Sequence, residues 1–131
     1  MEGAPTLLVV DDDESAQSLL QATLEDAGFI VLVGTSGEEA LQLFDKHRDA
    51  VRGLITDVNL GHGKSGWDVA RHLRETSPEI PIVYITGGNA HEWPAQGVPG
   101  SVLVTKPFAP AQIISAVSSL LNTTTPQQSS E

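Results

Sequence analysis

The chain has 131 residues, 40% of them hydrophobic, which suits one domain with its own core. Its 17 Asp and Glu against 7 Lys and Arg leave a net charge of −10, a surface that repels nucleic acid and anionic membranes, so neither is an expected direct partner. Without cysteine it can form no disulfide or thiolate metal site. No basic leader opens the chain and no apolar run nears the ~18 residues of a membrane span, so a soluble cytoplasmic protein is expected.

TLLVV, Thr6 to Val10, predicts a first strand running into Asp11-Asp12-Asp13. From Glu14 to Ala27 the residues Ala16, Leu19, Leu20, Thr23, Leu24 and Ala27 recur at helical spacing, and Gly28 stops the helix. Ile30 to Val33 predicts the second strand. Ser36 with Glu39 has the form of a capping box, opening a helix to about His47 that buries Ala40, Leu41 and Phe44.

Leu54 to Asp57 predicts the third strand. The loop Gly61-His62-Gly63-Lys64 then leads to Ser65, a cap for a helix carrying Val69, Ala70 and Leu73. Pro78 and Pro81 frame the turn into a fourth strand, Ile82 to Ile85. Gly87 to Gly100 occupies the place of a helix but holds Gly88, Pro94, Gly97 and Pro99 inside it, so only one or two turns are expected there. Val102 to Thr105 predicts the fifth strand, and Pro110 opens a last helix with Ile113, Ile114, Val117, Leu120 and Leu121 in a stripe. After Asn122 the sequence is polar and is read as a disordered tail, giving one domain over 1–122 and a tail over 123–131. Five βα repeats predict a three-layer α/β/α sandwich with strand order 2-1-3-4-5.

Open parallel sheets bind ligands outside the carboxyl ends of their strands. Four strands here end in groups suited to phosphate chemistry: Asp11, Asp12 and Asp13; Asp57; Thr86; Lys106. Each has an ordinary structural use, Asp57 as a helix cap, Thr86 as a strand former, Lys106 as a surface charge. Together they form a candidate site for metal-assisted phosphoryl chemistry. A carboxylate such as Asp57 can attack phosphorus to form an aspartyl phosphate. Consecutive aspartates repel one another unless a cation relieves them, and oxygen-only ligands suit Mg²⁺. Asp13 is read as complementing the first helix's N-terminus and no more.

The motifs VVDDDE, LITDVNL, YITGG and LVTKPF stand in that order, and the chain from about Thr6 to Leu121 resembles the receiver domain of two-component response regulators. The resemblance implies a flavodoxin-like fold with Asp57 as phosphoacceptor. It implies Asp11 and Asp12 as the acidic pair, with Asp12 the direct Mg²⁺ ligand, and the backbone carbonyl of Asn59 as another. It further implies Thr86 as switch hydroxyl, Lys106 as phosphate-facing lysine and Lys106-Pro107 as a cis peptide. The implied partners are a sensor histidine kinase, a histidine phosphotransfer protein or both, and a downstream protein target. No enzyme activity is implied beyond the protein's own phosphorylation and dephosphorylation. With no output domain in the sequence, a stand-alone signalling role is the expectation.

Two stretches depart from the family pattern. Leu103 stands where many receivers carry an aromatic, three residues before the lysine. The loop NLGHGKSG lacks the usual Met-Pro and is one residue longer. With the Gly87–Gly100 stretch, these suggest a branch with a different signalling face. Asn59 and Gly88 are placed to govern water access to an acyl phosphate. Two rivals stay open: a pseudo-receiver adaptor of the same fold, and a haloacid-dehalogenase-like phosphohydrolase using Asp11 and Asp13. His47, His62, His72 and His91 lack ligand spacing. Gly63-Lys64-Ser65 is not a phosphate-binding loop, because its first glycine is missing. Trp67 and Trp93 are read as packing residues, with partner contact the other reading for Trp93, and Phe108 as packing under the last helix.

Overall fold

The computed structural model describes residues 4–123. In chain order it comprises β1 (Thr6–Val10), α1 (Glu14–Asp26), β2 (Ile30–Gly34), α2 (Gly37–Lys46), β3 (Val51–Asp57), α3 (Gly66–Thr76) and β4 (Ile82–Thr86). A 3₁₀ turn (Ala90–Glu92), the one-turn α4 (Trp93–Gln96), β5 (Val102–Thr105) and α5 (Pro110–Thr123) follow. The strands pair in parallel in the expected order β2-β1-β3-β4-β5. The tail expected after Asn122 lies, from residue 124 onward, outside the described residues. Among the described residues no helix is long and apolar enough to cross a membrane.

Alternation along the strands splits the core into two layers. On one face Leu7, Val9, Ile55, Val83 and Ile85 meet Leu20 and Leu24 of α1 and Ile113 and Val117 of α5. On the other Leu8, Val10, Leu54, Ile82 and Tyr84 meet Ala40 and Phe44 of α2 and Val69, Ala70 and Leu73 of α3. Phe108 packs partly buried against the first layer, as expected. Leu19 does not share the burial of its helical face: it is 44% exposed.

Two local expectations need correction. β3 begins at Val51 rather than Leu54, because Val51 pairs with Thr6 and the register then shifts so that Leu7 pairs with Gly53. Arg52 is the extra residue of that bulge, and it interrupts the apolar pattern from which the strand start is read. The capping box at α2 is displaced by one residue: the Glu39 amide donates to Ser36 Oγ at 3.0 Å, but Glu39 Oε1 accepts from the amide and hydroxyl of Thr35 at 2.7 and 2.8 Å. The box that does close lies at α3. There the Asp68 amide donates to Ser65 Oγ, and the Ser65 amide donates to Asp68 Oδ2 at 3.0 Å. Gly28 ends α1 with φ +100°, a backbone state that favours glycine.

Candidate functional site

The register of β1, β3, β4 and β5 brings Asp11, Asp57, Thr86 and Lys106 to one edge. Val10 pairs with Thr56, Asp57 with Ile85 and Thr86 with Thr105, so each functional residue ends or follows a strand in step with its neighbour. Asp11 and Thr86 are buried and Asp57 nearly so, whereas Asp12 is exposed. Lys106 reaches in from the end of β5: its Nζ donates to Asp57 Oδ2 at 3.1 Å and stands 3.8 Å from Asp11 Oδ2. The Lys106–Pro107 peptide is cis, as the resemblance implies.

Neighbouring backbone fixes the carboxylates. Asp11 Oδ1 accepts from the Asp13 amide at 2.9 Å, and Gln17 Nε2 donates to the Asp11 carbonyl at 2.6 Å. Asp57 Oδ1 accepts from the Asn59 amide at 3.3 Å. The Thr56 hydroxyl donates to the Asp57 carbonyl at 2.8 Å. Gly66 is required here, since a Cβ on it would overlap that same carbonyl, and its amide donates to Val58 O at 2.8 Å. Asp13 caps α1 by accepting from the Ser15 amide at 3.1 Å, the helix-end role read for it from the sequence.

Burial pushes the Asp11 carboxyl up to about 6; the nearby Asp57 and Asp12 charges add to the rise, while the Asp13 amide and Lys106 oppose it. Burial works to lower the Lys106 ammonium, yet its hydrogen bond to Asp57 and the charges of Asp57, Asp11 and Asp13 prevail and raise it.

Asp11 Oδ2 is buried and has no hydrogen-bond partner among the described residues. An unsatisfied buried carboxylate oxygen is costly. One oxygen each from Asp11, Asp12 and Asp57 lie within 4.8 Å of one another, a set that could hold a metal ion. A hard cation such as Mg²⁺ fits this all-oxygen donor set, and it would satisfy the orphaned atom. No histidine belongs to this cluster, and His62 is exposed on the loop beyond it.

Thr86 Oγ1 accepts from the Asn89 amide at 2.9 Å, so the hydroxyl keeps its own proton to donate. Asn89 Nδ2 in turn donates to Glu92 Oε2 at 3.1 Å. The segment beyond is irregular, as its glycines and prolines predict, but it is tightly held. The Val98 amide donates to the buried Tyr84 hydroxyl at 3.1 Å. Arg74 donates to the carbonyls of Ile80 and Pro99 at 2.9 and 2.7 Å, and Arg71 to that of Gln96 at 3.1 Å. Trp93 donates from Nε1 to Ser101 Oγ at 3.0 Å and is partly buried against the core, so it packs as read. Trp67 packs edge-on to Tyr84 with ring centroids 4.6 Å apart. Leu103, half-buried, pairs with Tyr84 across the strands.

Sequence reasoning did not single out Tyr84, Arg71, Arg74, Gln17 or Gly66. The two arginines act on backbone 25 residues away and Tyr84 on an amide 14 residues away, spacings that carry no local signal.

A doubly wound parallel sheet with an acid cluster that could hold a metal ion, a hydroxyl and a lysine at its carboxyl edge defines an α/β module of the flavodoxin-like class. A family model described as the response regulator receiver domain matches residues 7–118. The chain belongs to that family. It is 32% identical over 123 residues to the response regulator MprA of Mycolicibacterium vanbaalenii, covering 92% of this chain and 52% of the relative. It is also 32% identical over 117 residues to the alkaline phosphatase synthesis transcriptional regulatory protein PhoP of Bacillus subtilis, covering 88% and 48%. The chain thus spans about half the length of these curated relatives. Among solved structures, a response regulator receiver protein from Sinorhizobium medicae superposes with a TM-score of 0.87 at 44% identity, covering 91% of this chain and 95% of that one. The chemotaxis protein CheY4 of Vibrio cholerae superposes with a TM-score of 0.78 at 27% identity, covering 90% and 99%.

Proposed function

We propose that residues 1–122 form a receiver unit that accepts a phosphoryl group on Asp57 from the phosphohistidine of a sensor kinase or a histidine phosphotransfer protein, in the cytoplasm. The observation that carries this reading is Lys106 Nζ, 3.1 Å from Asp57 Oδ2, beside the orphaned Asp11 Oδ2. An oxygen of Asp57 forms the new bond to phosphorus as the phosphorus–nitrogen bond of the donor breaks, and the donor imidazole leaves with that electron pair. Lys106, already paired with Asp57, can turn its remaining protons to the phosphoryl oxygens. The free proton of Thr86 can do the same from the other side.

Asp11, Asp12, Asp57 and the backbone carbonyl of Asn59 would hold Mg²⁺, which when bound offsets negative charge on the transferring group. Phosphorylation adds about −1.5 to −2 charges. Drawing Thr86 toward them pulls on the Asn89 amide and so on the 89–101 segment, whose face meets a downstream protein target. The unit catalyses only its own phosphorylation and dephosphorylation. The phosphohydrolase alternative needs Asp13 as an acid, but that carboxylate caps α1. A Cβ at Gly88 would meet nothing within 4 Å, which supports an acyl phosphate open to water on that side.

Intact-protein mass after incubation with acetyl phosphate or phosphoramidate tests the proposal. One added phosphate that requires both Mg²⁺ and Asp57, and is absent from Asp57→Ala, is the expected result. No gain under conditions that preserve acyl phosphates would instead make the chain a phosphorylation-independent adaptor.

A further inference from the structure

The loop between β3 and α3 carries Asn59 at its start and is exposed from Gly61 to Lys64. Its local bonds are few: the Asn59 amide to Asp57 Oδ1, and the Gly61 amide to Asn59 Oδ1 at 3.2 Å. Gly61 and Gly63 take φ of +80° and +86°, so the chain reverses twice on residues with the most freedom to lose. Beyond Gly61 the loop is held from outside. The Lys64 amide donates to Glu38 Oε2 at 3.2 Å, a bond spanning 26 residues.

The surfaces on either side of that bond are shaped for each other. A Cβ on Gly63 would stand 2.6 and 2.9 Å from the two Glu38 carboxylate oxygens. A Cβ on Gly37 would stand 2.7 Å from the Lys64 carbonyl oxygen and 2.8 Å from its Cβ. Two glycines from distant segments therefore allow the close approach. Glu38 lies in the first turn of α2, where the helix dipole favours a carboxylate, and a charged acceptor strengthens its bond to an amide. At the loop's other side, a Cβ on Gly61 would stand 3.6 Å from Asp12 Oδ2. The loop thus bridges Glu38 and the acidic pocket.

We infer that Glu38, which lies outside the pocket, is a positioning residue for divalent-cation binding there. It clamps the 59–64 loop on the N-terminus of α2, and this sets the Asn59 carbonyl and the wall beside Asp12. The inference rests on the reading of the pocket as a Mg²⁺ site. The fold has little need of the clamp, because α3 carries its own closed capping box at Ser65 and Asp68, and Val58 and Leu60 already anchor the start of the loop in the core, leaving only Gly61 to Lys64 exposed. Cation ligands, by contrast, tolerate little misplacement, and residues that orient them change metal affinity when removed.

Calorimetric titration of Mg²⁺ into the whole chain, alongside acetyl phosphate labelling at graded Mg²⁺, provides the test. Glu38→Ala should weaken Mg²⁺ affinity by about threefold to tenfold, and raise the Mg²⁺ needed for half-maximal labelling equally. Its labelling rate at saturating Mg²⁺ and its metal-free melting temperature should match the original chain. Glu38→Gln keeps an oxygen that accepts the Lys64 amide, and should stay within about twofold. Unchanged Mg²⁺ affinity in Glu38→Ala would overturn the clamp while leaving the site reading intact. An equal loss in Glu38→Gln would also overturn it, by assigning the effect to the negative charge alone. An original chain that neither binds Mg²⁺ nor takes phosphate would overturn the site reading and the clamp with it.

Discussion

The acidic pocket and the 87–101 segment share the carboxyl edge of one sheet, yet they are held by opposite means. Asp11, Asp57 and Lys106 sit on or directly after strands, so sheet register sets their spacing. The 87–101 backbone has only a 3₁₀ turn and one helical turn of its own. Arg71, Arg74, Tyr84 and Ser101 satisfy the polar backbone that a full helix would satisfy internally. The difference teaches a division of labour. Chemistry is carried on rigid elements, where small displacements are costly, while the responsive segment hangs on separable bonds that can open without unstacking the sheet. Thr86 belongs to both regions, as the last residue of β4 and the acceptor for the Asn89 amide.

If the two regions are independently held, substitutions should separate them. Lys106→Met should slow labelling by acetyl phosphate by about tenfold to a hundredfold at saturating Mg²⁺ while leaving Trp93 fluorescence unchanged. A rate within twofold of the original would place the transition-state charge elsewhere.

Asp11→Asn tests the pocket through stability. The folded Asp11 holds its proton up to about pH 6 and the unfolded one only to about 3.8, so between these values the native state binds more protons. Stability from this group therefore falls as pH rises through that window and stays low above it. Denaturant unfolding without metal should show Asp11→Asn matching the original near pH 4 and exceeding it by about 2 kcal/mol at pH 7. Saturating Mg²⁺ should narrow that gap by stabilising only the original chain. A gap independent of pH would refute the assignment.

Tyr84→Phe acts on the other region. It leaves the buried Val98 amide without its acceptor and should cost about 1–2 kcal/mol in denaturant unfolding, with the labelling rate untouched. A slowed rate would show that the regions are more tightly coupled than their bonding implies. Arg74→Leu should have the smallest effect, about 1 kcal/mol, because the exposed Pro99 carbonyl can recruit water in place of the guanidinium. Amide hydrogen exchange in 96–101 should rise in that variant while exchange in β1 and β3 stays constant.

The sequence alone carried the strand order, the two-faced core, and the placement of Asp11, Asp12, Asp57, Thr86 and Lys106 on one edge. These features follow from local periodicity and from a topology with few alternatives, so they are written in neighbouring residues. Other features were decided in three dimensions: the early start of β3 at its Arg52 bulge, the shift of the Glu39 contact to Thr35, and the exposure of Leu19. The same holds for the Glu38 clamp and the arginine and tyrosine bonds around 96–99, which join residues 14 to 26 positions apart. Such contacts depend on how helices and loops settle on a finished sheet, and no spacing along the chain encodes where two distant backbones will come within a hydrogen bond of each other.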